Sequence, residues 1–405
     1  MKVQKSISFS LSFLVVGLPI LFIFREYIPI SKSIFTYSLV GFMLLALINY
    51  NNLFKIKIHA NIPIFIIILL FILYTLFILN LMYVTSSTST IYIIITVFIY
   101  FALLTNEDKD FSIFYKYILI ISSFVTVFTL VSTPLDYSYW IMNGGRLYVG
   151  DTKNPNLSSF IALANILAII FYLYTSTEKL KFIIKFIFLI VGLGSIYIYF
   201  LSFSKSAILG LIFALIYLIP KNFLKNKKMI ISLIVLFVLI FLLSLFFSDI
   251  ANQISGKFTI LINAFDGYFY GKTENISVDS AAIRHQSLVK VLPILEEINL
   301  FTGNGIFTTR ADFPLLQVFT DLGFFAGFLN LFLMFIFPLI LISKQNIKHK
   351  VLSNDFEKSK YFSILLYLYN LPNLFLHGTP YEYSMWLPVL ILYKFIPWKK
   401  EEKYA

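Results

Sequence analysis

Uninterrupted apolar runs of roughly 16–22 residues recur along almost the whole chain, each long enough to cross a bilayer as a helix. They predict helices near 7–24, 33–49, 63–82, 90–104, 112–133, 157–174, 183–202, 206–220, 229–247, 314–343, 360–376 and 383–397. The expected fold is therefore all-α: a polytopic transmembrane helical bundle of about twelve spans, with residues 1–405 forming a single integral membrane domain. The first run resembles the apolar region of a signal peptide, but no small-residue cleavage site follows, so it is expected to stay as a helix. The 314–343 run is too long for one simple crossing. It is expected to begin as a short re-entrant or interfacial helix, broken around Gly323 or Gly327.

Composition excludes a soluble reading. The chain is 59% hydrophobic and 13% charged, with mean hydropathy +0.86, whereas soluble domains carry about 25% charged residues. With no cysteine, disulfide, thiolate and iron–sulfur chemistry is absent. The four histidines and scattered carboxylates show no metal-ligand spacing, so neither a metal nor any other cofactor is expected. The net charge of +12 lies mostly in short loops between apolar runs, which suits topology signals facing anionic lipid and not nucleic acid.

The lysines set the orientation. Lys55, Lys57, Lys179, Lys181, Lys221, Lys225, Lys227, Lys228, Lys344, Lys348, Lys350, Lys358, Lys360, Lys399 and Lys400 all fall on one side if both termini are cytoplasmic. Two external loops then stand out by length, 134–156 and 248–313, the second preceding the third-last span. Long ordered loops usually carry function. Within the second, Asp279 or Ser280 is expected to cap an amphipathic helix on which Leu288, Val291, Leu292, Leu295 and Ile298 recur at helical spacing.

Of 32 basic residues only four are arginine, and Arg25, Arg146, Arg284 and Arg310 all fall on the external side. Lysine suffices for orientation, whereas the planar guanidinium fork binds phosphate or carboxylate bidentately. A pyrophosphate or an acidic sugar is the natural ligand. The plainer alternative, an exposed interfacial side chain, fits Arg25 beside Glu26 best. Lys205, in the short turn Ser202-Phe203-Ser204-Lys205-Ser206, lies too deep for a casual cation.

The order of these motifs resembles the O-antigen polymerase and O-antigen ligase superfamily of bacterial envelope glycan enzymes. Gly145-Arg146-Leu147-Tyr148-Val149-Gly150 with Asn154-Pro155-Asn156 is similar to the family's external Arg–Gly–(Asp/Asn)-Pro-Asn stretch. Ser202 to Ser206 is similar to its Ser-x-Ser-Arg-Gly turn, with Lys205 in place of arginine. Arg284 followed by Gly303-Asn304-Gly305-Ile306 resembles its Arg…Gly-x-Gly run. Leu316-Gln317-Val318-Phe319-Thr320-Asp321-Leu322-Gly323 resembles its Leu-Gln-x-x-x-(Asp/Glu)-x-Gly helix start. The likeness covers about residues 140–345; earlier residues match only in hydropathy. Where ligases show His-Asn before the Leu-Gln pair this chain has Asp312-Phe313, which favours the polymerase within the superfamily.

The resemblance implies a bacterial cytoplasmic (inner) membrane enzyme that transfers a glycan from polyprenyl pyrophosphate to an incoming lipid-linked oligosaccharide repeat unit, with lipid pyrophosphate leaving. Its implied partners are the lipid-linked oligosaccharide, membrane lipids and a chain-length regulator. Such a reaction needs cations at the departing pyrophosphate and a base for the acceptor hydroxyl. Arg146, Lys205, Arg284 and Arg310 are the candidate substrate-binding cations. Asp312 is the first candidate base, His285 the second and Glu382 the third; an N-cap, an interfacial histidine and a solvated loop carboxylate are their plain alternatives. Asp321 is expected to hold a structural hydrogen bond within the membrane, with a role in ordering the site as the alternative. A ligase is the closest rival reading. A transporter or flippase of lipid-linked oligosaccharide is the rival of another class, although no inverted repeat is visible and charges are nearly absent from the middle of the spans.

Overall fold

The computed structural model describes residues 62–81, 114–132, 147, 155–176, 182–218, 279–297, 301–305, 313–345, 354–376, 380–381 and 383–396. These are helical apart from short turns. In chain order the helices are α1 (Ile62–Leu81), α2 (Phe114–Ser132), α3 (Pro155–Thr175), α4 (Phe182–Ser202), α5 (Lys205–Leu218) and α6 (Asp279–Glu297). Then follow α7 (Pro314–Leu331), a π-helical turn (Phe332–Ile336), α8 (Phe337–Ser343), α9 (Asp355–Leu376) and α10 (Tyr383–Phe395). The expected helices at 7–24, 33–49, 90–104 and 229–247 lie outside the described residues, as does most of both long loops. Among the described residues four helices are long and apolar enough to cross a membrane: Phe114–Ser132, Ser158–Thr175, Phe182–Ser202 and Pro314–Ser343. The chain is a helical membrane protein on that evidence.

The packing is that of a membrane bundle. α2, α3 and α4 pack on one another, α5 sits between α3 and α9, and α10 packs on α9. On α4 an apolar face from Phe182 to Tyr197 is exposed, whereas Val191, Ser195, Ile198 and Ser202 turn inward. Apolar contact alone gives little reason for helices to associate in lipid, so polar side chains and close backbone approach carry more of the specificity. Both are present. Asn165 on α3 donates to Ser122 and Ser123 on α2, each at 2.9 Å, and accepts from Ser195 on α4 at 3.0 Å. Thr126 and Ser195 hydroxyls lie 3.1 Å apart. Gly210 on α5 abuts the Tyr369 carbonyl of α9 so closely that any Cβ there would collide with backbone.

At one end of the bundle Asp355 at the start of α9 clasps the start of α2. It accepts from the Tyr115 hydroxyl and from Lys116 Nζ, both at 2.9 Å, with Lys358 at 3.8 Å. Partial burial pushes the Asp355 carboxyl up, but the Lys116 and Tyr115 hydrogen bonds and the nearby ammonium charges outweigh it, and the group titrates below the ordinary carboxylate value.

The long 314–343 run is interrupted twice. Gly323 has φ 83° and ψ 177°, a conformation that only glycine adopts cheaply, and the helix breaks there. The Phe319 ring then lies against Gly327, where a Cβ would strike it, and edge-on to Phe324 at 5.8 Å and Phe328 at 5.3 Å. Of the two expected break points Gly323 bends the chain, and Gly327 makes room for the folded-back segment.

The second interruption is the π-turn, which the sequence reading did not anticipate. Phe337 N–H bonds to Phe332 O, an i→i−5 step. Pro338 follows and has no N–H to give. In the π register its missing donor would serve Leu333 O, and in the α register Met334 O. Each carbonyl instead accepts a tyrosine hydroxyl: Tyr393 of α10 donates to Leu333 O, and Tyr367 of α9 donates to Met334 O at 2.8 Å. Two distant tyrosines thereby satisfy the groups that the proline leaves without a donor.

Candidate functional site

α4 ends and α5 begins within three residues. Phe203 takes φ 40°, a left-handed conformation rare for a bulky residue, and its N–H bonds to Tyr199 O at 2.7 Å, closing α4. Ser204 then opens α5 by accepting from Ile208 N–H at 3.3 Å. The serines point inward: Ser202 lies 2.7 Å from Ser159 of α3, and Ser204 lies 3.0 Å from Ser206. All four are buried, while Lys205, between Ser204 and Ser206, is only half-buried. As the first residue of α5, Lys205 adds its charge to the positive end of the helix dipole. Helix stability alone does not favour a cation at that position.

The first motif docks onto the second. Leu147 is fully buried, and its N–H donates to Leu201 O at 2.9 Å. The backbone beside Arg146 is thus held at the end of α4, one turn of chain before Lys205.

The third and fourth motifs meet in the same way. The turn 301–305 lies against the break in α7, with Asn304 N–H on Thr320 O at 2.8 Å and Gly305 N–H on Asp321 O at 3.1 Å. Bending at Gly323 takes these carbonyls out of regular helical bonding, and the turn supplies donors. Gly303 has φ 60°, and a Cβ on it would come within 2.5 Å of the Asp321 carbonyl. The close approach and the backbone angle both demand glycine.

The Asp321 side chain is fully buried. Gln317 Nε2 donates to its Oδ1 at 2.6 Å, and the Tyr381 hydroxyl donates to its Oδ2 at 2.9 Å. The expected structural hydrogen bond is present, and it brings in a segment that sequence reading had not connected to it. Tyr381 precedes α10 in a turn fastened by Trp386 Nε1 on Pro380 O at 3.0 Å.

The remaining candidates are placed less completely. Arg284 and His285 lie on α6, which packs against α7. His285 is half-buried. A helix runs over Asp279–Glu297, with Val291 buried and Leu292 exposed. Arg25, Arg146, Arg310, Asp312 and Glu382 lie outside the described residues. Among the described residues no group of three His, Asp or Glu side chains is placed to hold a metal ion.

A small cavity between α2, α3 and α4 is lined by Val125, Thr126, Thr129, Ser158, Ile161, Ala162 and Ile198. The Ser158 hydroxyl there is buried without a hydrogen-bond partner. Sequence reading passed over this polar seam because its members are uncharged. The signal was available in Ser122, Asn165 and Ser195, polar residues in the middle of apolar runs.

No family model matches the chain, and no curated protein is similar enough to match it.

Proposed function

We propose that the chain is a glycosyltransferase of the bacterial cytoplasmic membrane, with about twelve spans and both termini cytoplasmic. It polymerises lipid-linked oligosaccharide repeat units on the external face. The growing glycan leaves polyprenyl pyrophosphate and joins a sugar hydroxyl of the incoming unit, and lipid pyrophosphate departs. Arg146, Lys205, Arg284 and Arg310 neutralise the departing pyrophosphate, and Asp312 or His285 takes the acceptor proton.

The observation that carries this reading is the pairing of the four motifs that resemble the polymerase and ligase superfamily. Leu147, the residue after Arg146, is bonded to Leu201 at the end of α4, four residues before Lys205, and the Gly303–Gly305 turn is bonded to the α7 break. Such joins are what a composite site assembled from loops requires. Sidedness supports it as well: Asp355, three residues before Lys358 of the expected cytoplasmic set, meets Lys116 at the start of α2, while Asp321 meets Tyr381 beside Glu382 at the other end. A ligase is the nearest alternative, and Asp312-Phe313 in place of His-Asn argues for the polymerase.

The test is complementation of a polymerase-null strain, read as a glycan ladder on a gel. Arg146→Ala, Arg284→Ala, Arg310→Ala and Asp312→Ala are compared with the wild type at matched membrane expression. The wild type restores the ladder, and the arginine variants collapse it to single repeat units. Variants that polymerise normally refute the site, and a wild type that leaves repeat units off the surface moves transport to the front.

A further inference from the structure

Asp321 presents a problem that packing alone does not solve. A carboxylate fully buried in an apolar bundle carries a large desolvation cost, and an apolar side chain of similar size commonly gives equal or better stability. Yet this carboxylate sits where three segments distant in sequence converge. Its own backbone carbonyl receives the Gly305 N–H, its neighbour Thr320 receives the Asn304 N–H, and its side chain receives Gln317 and Tyr381. Two residues on, Gly323 breaks the helix. The carboxylate thus fixes the turn before α10 to the bend in α7, and the backbone at the same position fixes the 301–305 turn to that bend.

We propose that Asp321 is a positioning residue: its carboxylate through Tyr381, and its backbone carbonyl through Gly305, hold the 380–381 turn, the α7 break and the 301–305 turn as one rigid external unit. This rests on the glycan-transfer reading, because the chain segments carrying Arg310, Asp312 and Glu382 run directly into that unit. Asp312 is two residues before α7, Arg310 five residues after Gly305, and Glu382 the residue after Tyr381. Asp321 touches no substrate. Its role is to fix Gly305 and Tyr381, the described residues from which these segments run, at the α7 break, and misplacement of reacting groups by about 1 Å can lower a rate about 100-fold. Geometry, rather than negative charge, is what it supplies. Asparagine is nearly isosteric, accepting from Gln317 through oxygen and donating to the Tyr381 hydroxyl through nitrogen.

The experiment uses purified full-length protein in liposomes with a lipid-linked repeat unit, alongside amide hydrogen exchange of the peptide containing residues 301–305. Tyr381→Phe deletes one hydroxyl and keeps the ring. It is expected to lower kcat about 10-fold with KM within about threefold, and to speed exchange at Asn304 and Gly305; Asp321→Ala does the same more severely, by about 100-fold in kcat. Asp321→Asn restores kcat to within about threefold of wild type. Unchanged kcat in Tyr381→Phe and Asp321→Ala overturns the proposal, as does a loss carried by KM alone. An Asp321→Asn variant as impaired as Asp321→Ala also overturns it, by making charge the requirement. A wild type that forms no polymer refutes the transfer reading itself. In that case exchange that stays slow in Tyr381→Phe refutes the lock as well, and exchange that quickens upholds it.

Discussion

The Tyr381 hydroxyl meets the buried Asp321 carboxylate at 2.9 Å, joining residues sixty positions apart in the chain. That bond ties the turn before the last helix to the point where α7 breaks, and the same break receives the Gly303–Gly305 turn. This end of the bundle is therefore organised around a helix interruption, with glycines supplying the bend and polar side chains supplying the closure. The second interruption, at the π-turn, follows the same logic with tyrosines and a proline.

That logic predicts coupling between Pro338 and Tyr367. Tyr367→Phe leaves Met334 O without its donor inside the bundle, with an expected cost of about 1–3 kcal/mol. In a Pro338→Ala background a backbone N–H returns, and the same tyrosine substitution becomes milder. Thermal unfolding in detergent of the two single variants and the double variant measures the difference; additive effects would refute the pairing.

Two glycines should respond oppositely to alanine. Gly303→Ala brings a Cβ within 2.5 Å of Asp321 backbone at φ 60° and is expected to lose about 2–4 kcal/mol. Gly192→Ala, inside α4, meets only Ile169 Cδ1 at 3.8 Å, an ordinary contact, and gains up to about 1 kcal/mol from helix propensity. The paired melting temperatures decide it.

Phe203 carries left-handed backbone at the α4–α5 turn. Glycine accepts that conformation freely and alanine does not, so Phe203→Gly should be more stable than Phe203→Ala by about 1 kcal/mol. Both lose the ring contact with Tyr199, which cancels in the comparison. Equal stability would mean that the turn relaxes out of the left-handed region.

The Asp355 clasp predicts an acid-sensitive contribution to stability. Because the folded carboxyl titrates below its ordinary value, the contribution is fully present above the unfolded value of about 3.9 and is lost as pH falls through the depressed folded value. The group is partly exposed, so the effect is small. Unfolding followed from pH 6 down to pH 3 should show an acid-side decline that Asp355→Asn flattens.

Hydropathy made much of the helical layout legible, because a bilayer demands long apolar helices and little else satisfies backbone groups there. α2, α3, α4 and α5 begin and end within about two residues of the apolar runs that predict them. The break at Gly323 was legible from the length of the run. The π-turn was not, because Pro338 in an apolar run looks like any tolerated membrane proline until Tyr367 and Tyr393 are seen to serve its freed carbonyls. The partner of Asp321 was equally hidden: nothing in local sequence links Tyr381 to a residue sixty positions earlier. Motif order singled out the segments around Leu147 and Gly303–Gly305, and only tertiary contact shows that the first is bonded to Leu201 and the second to the α7 break.

The most direct test of the central claim is reconstitution of the purified chain in liposomes with a polyprenyl pyrophosphate-linked repeat unit, and nothing else, followed by separation of products by length. The account predicts a ladder of lengthening glycans with release of polyprenyl pyrophosphate, abolished by Arg284→Ala. Movement of the intact repeat unit between leaflets without elongation, or no product in a folded preparation, would contradict it.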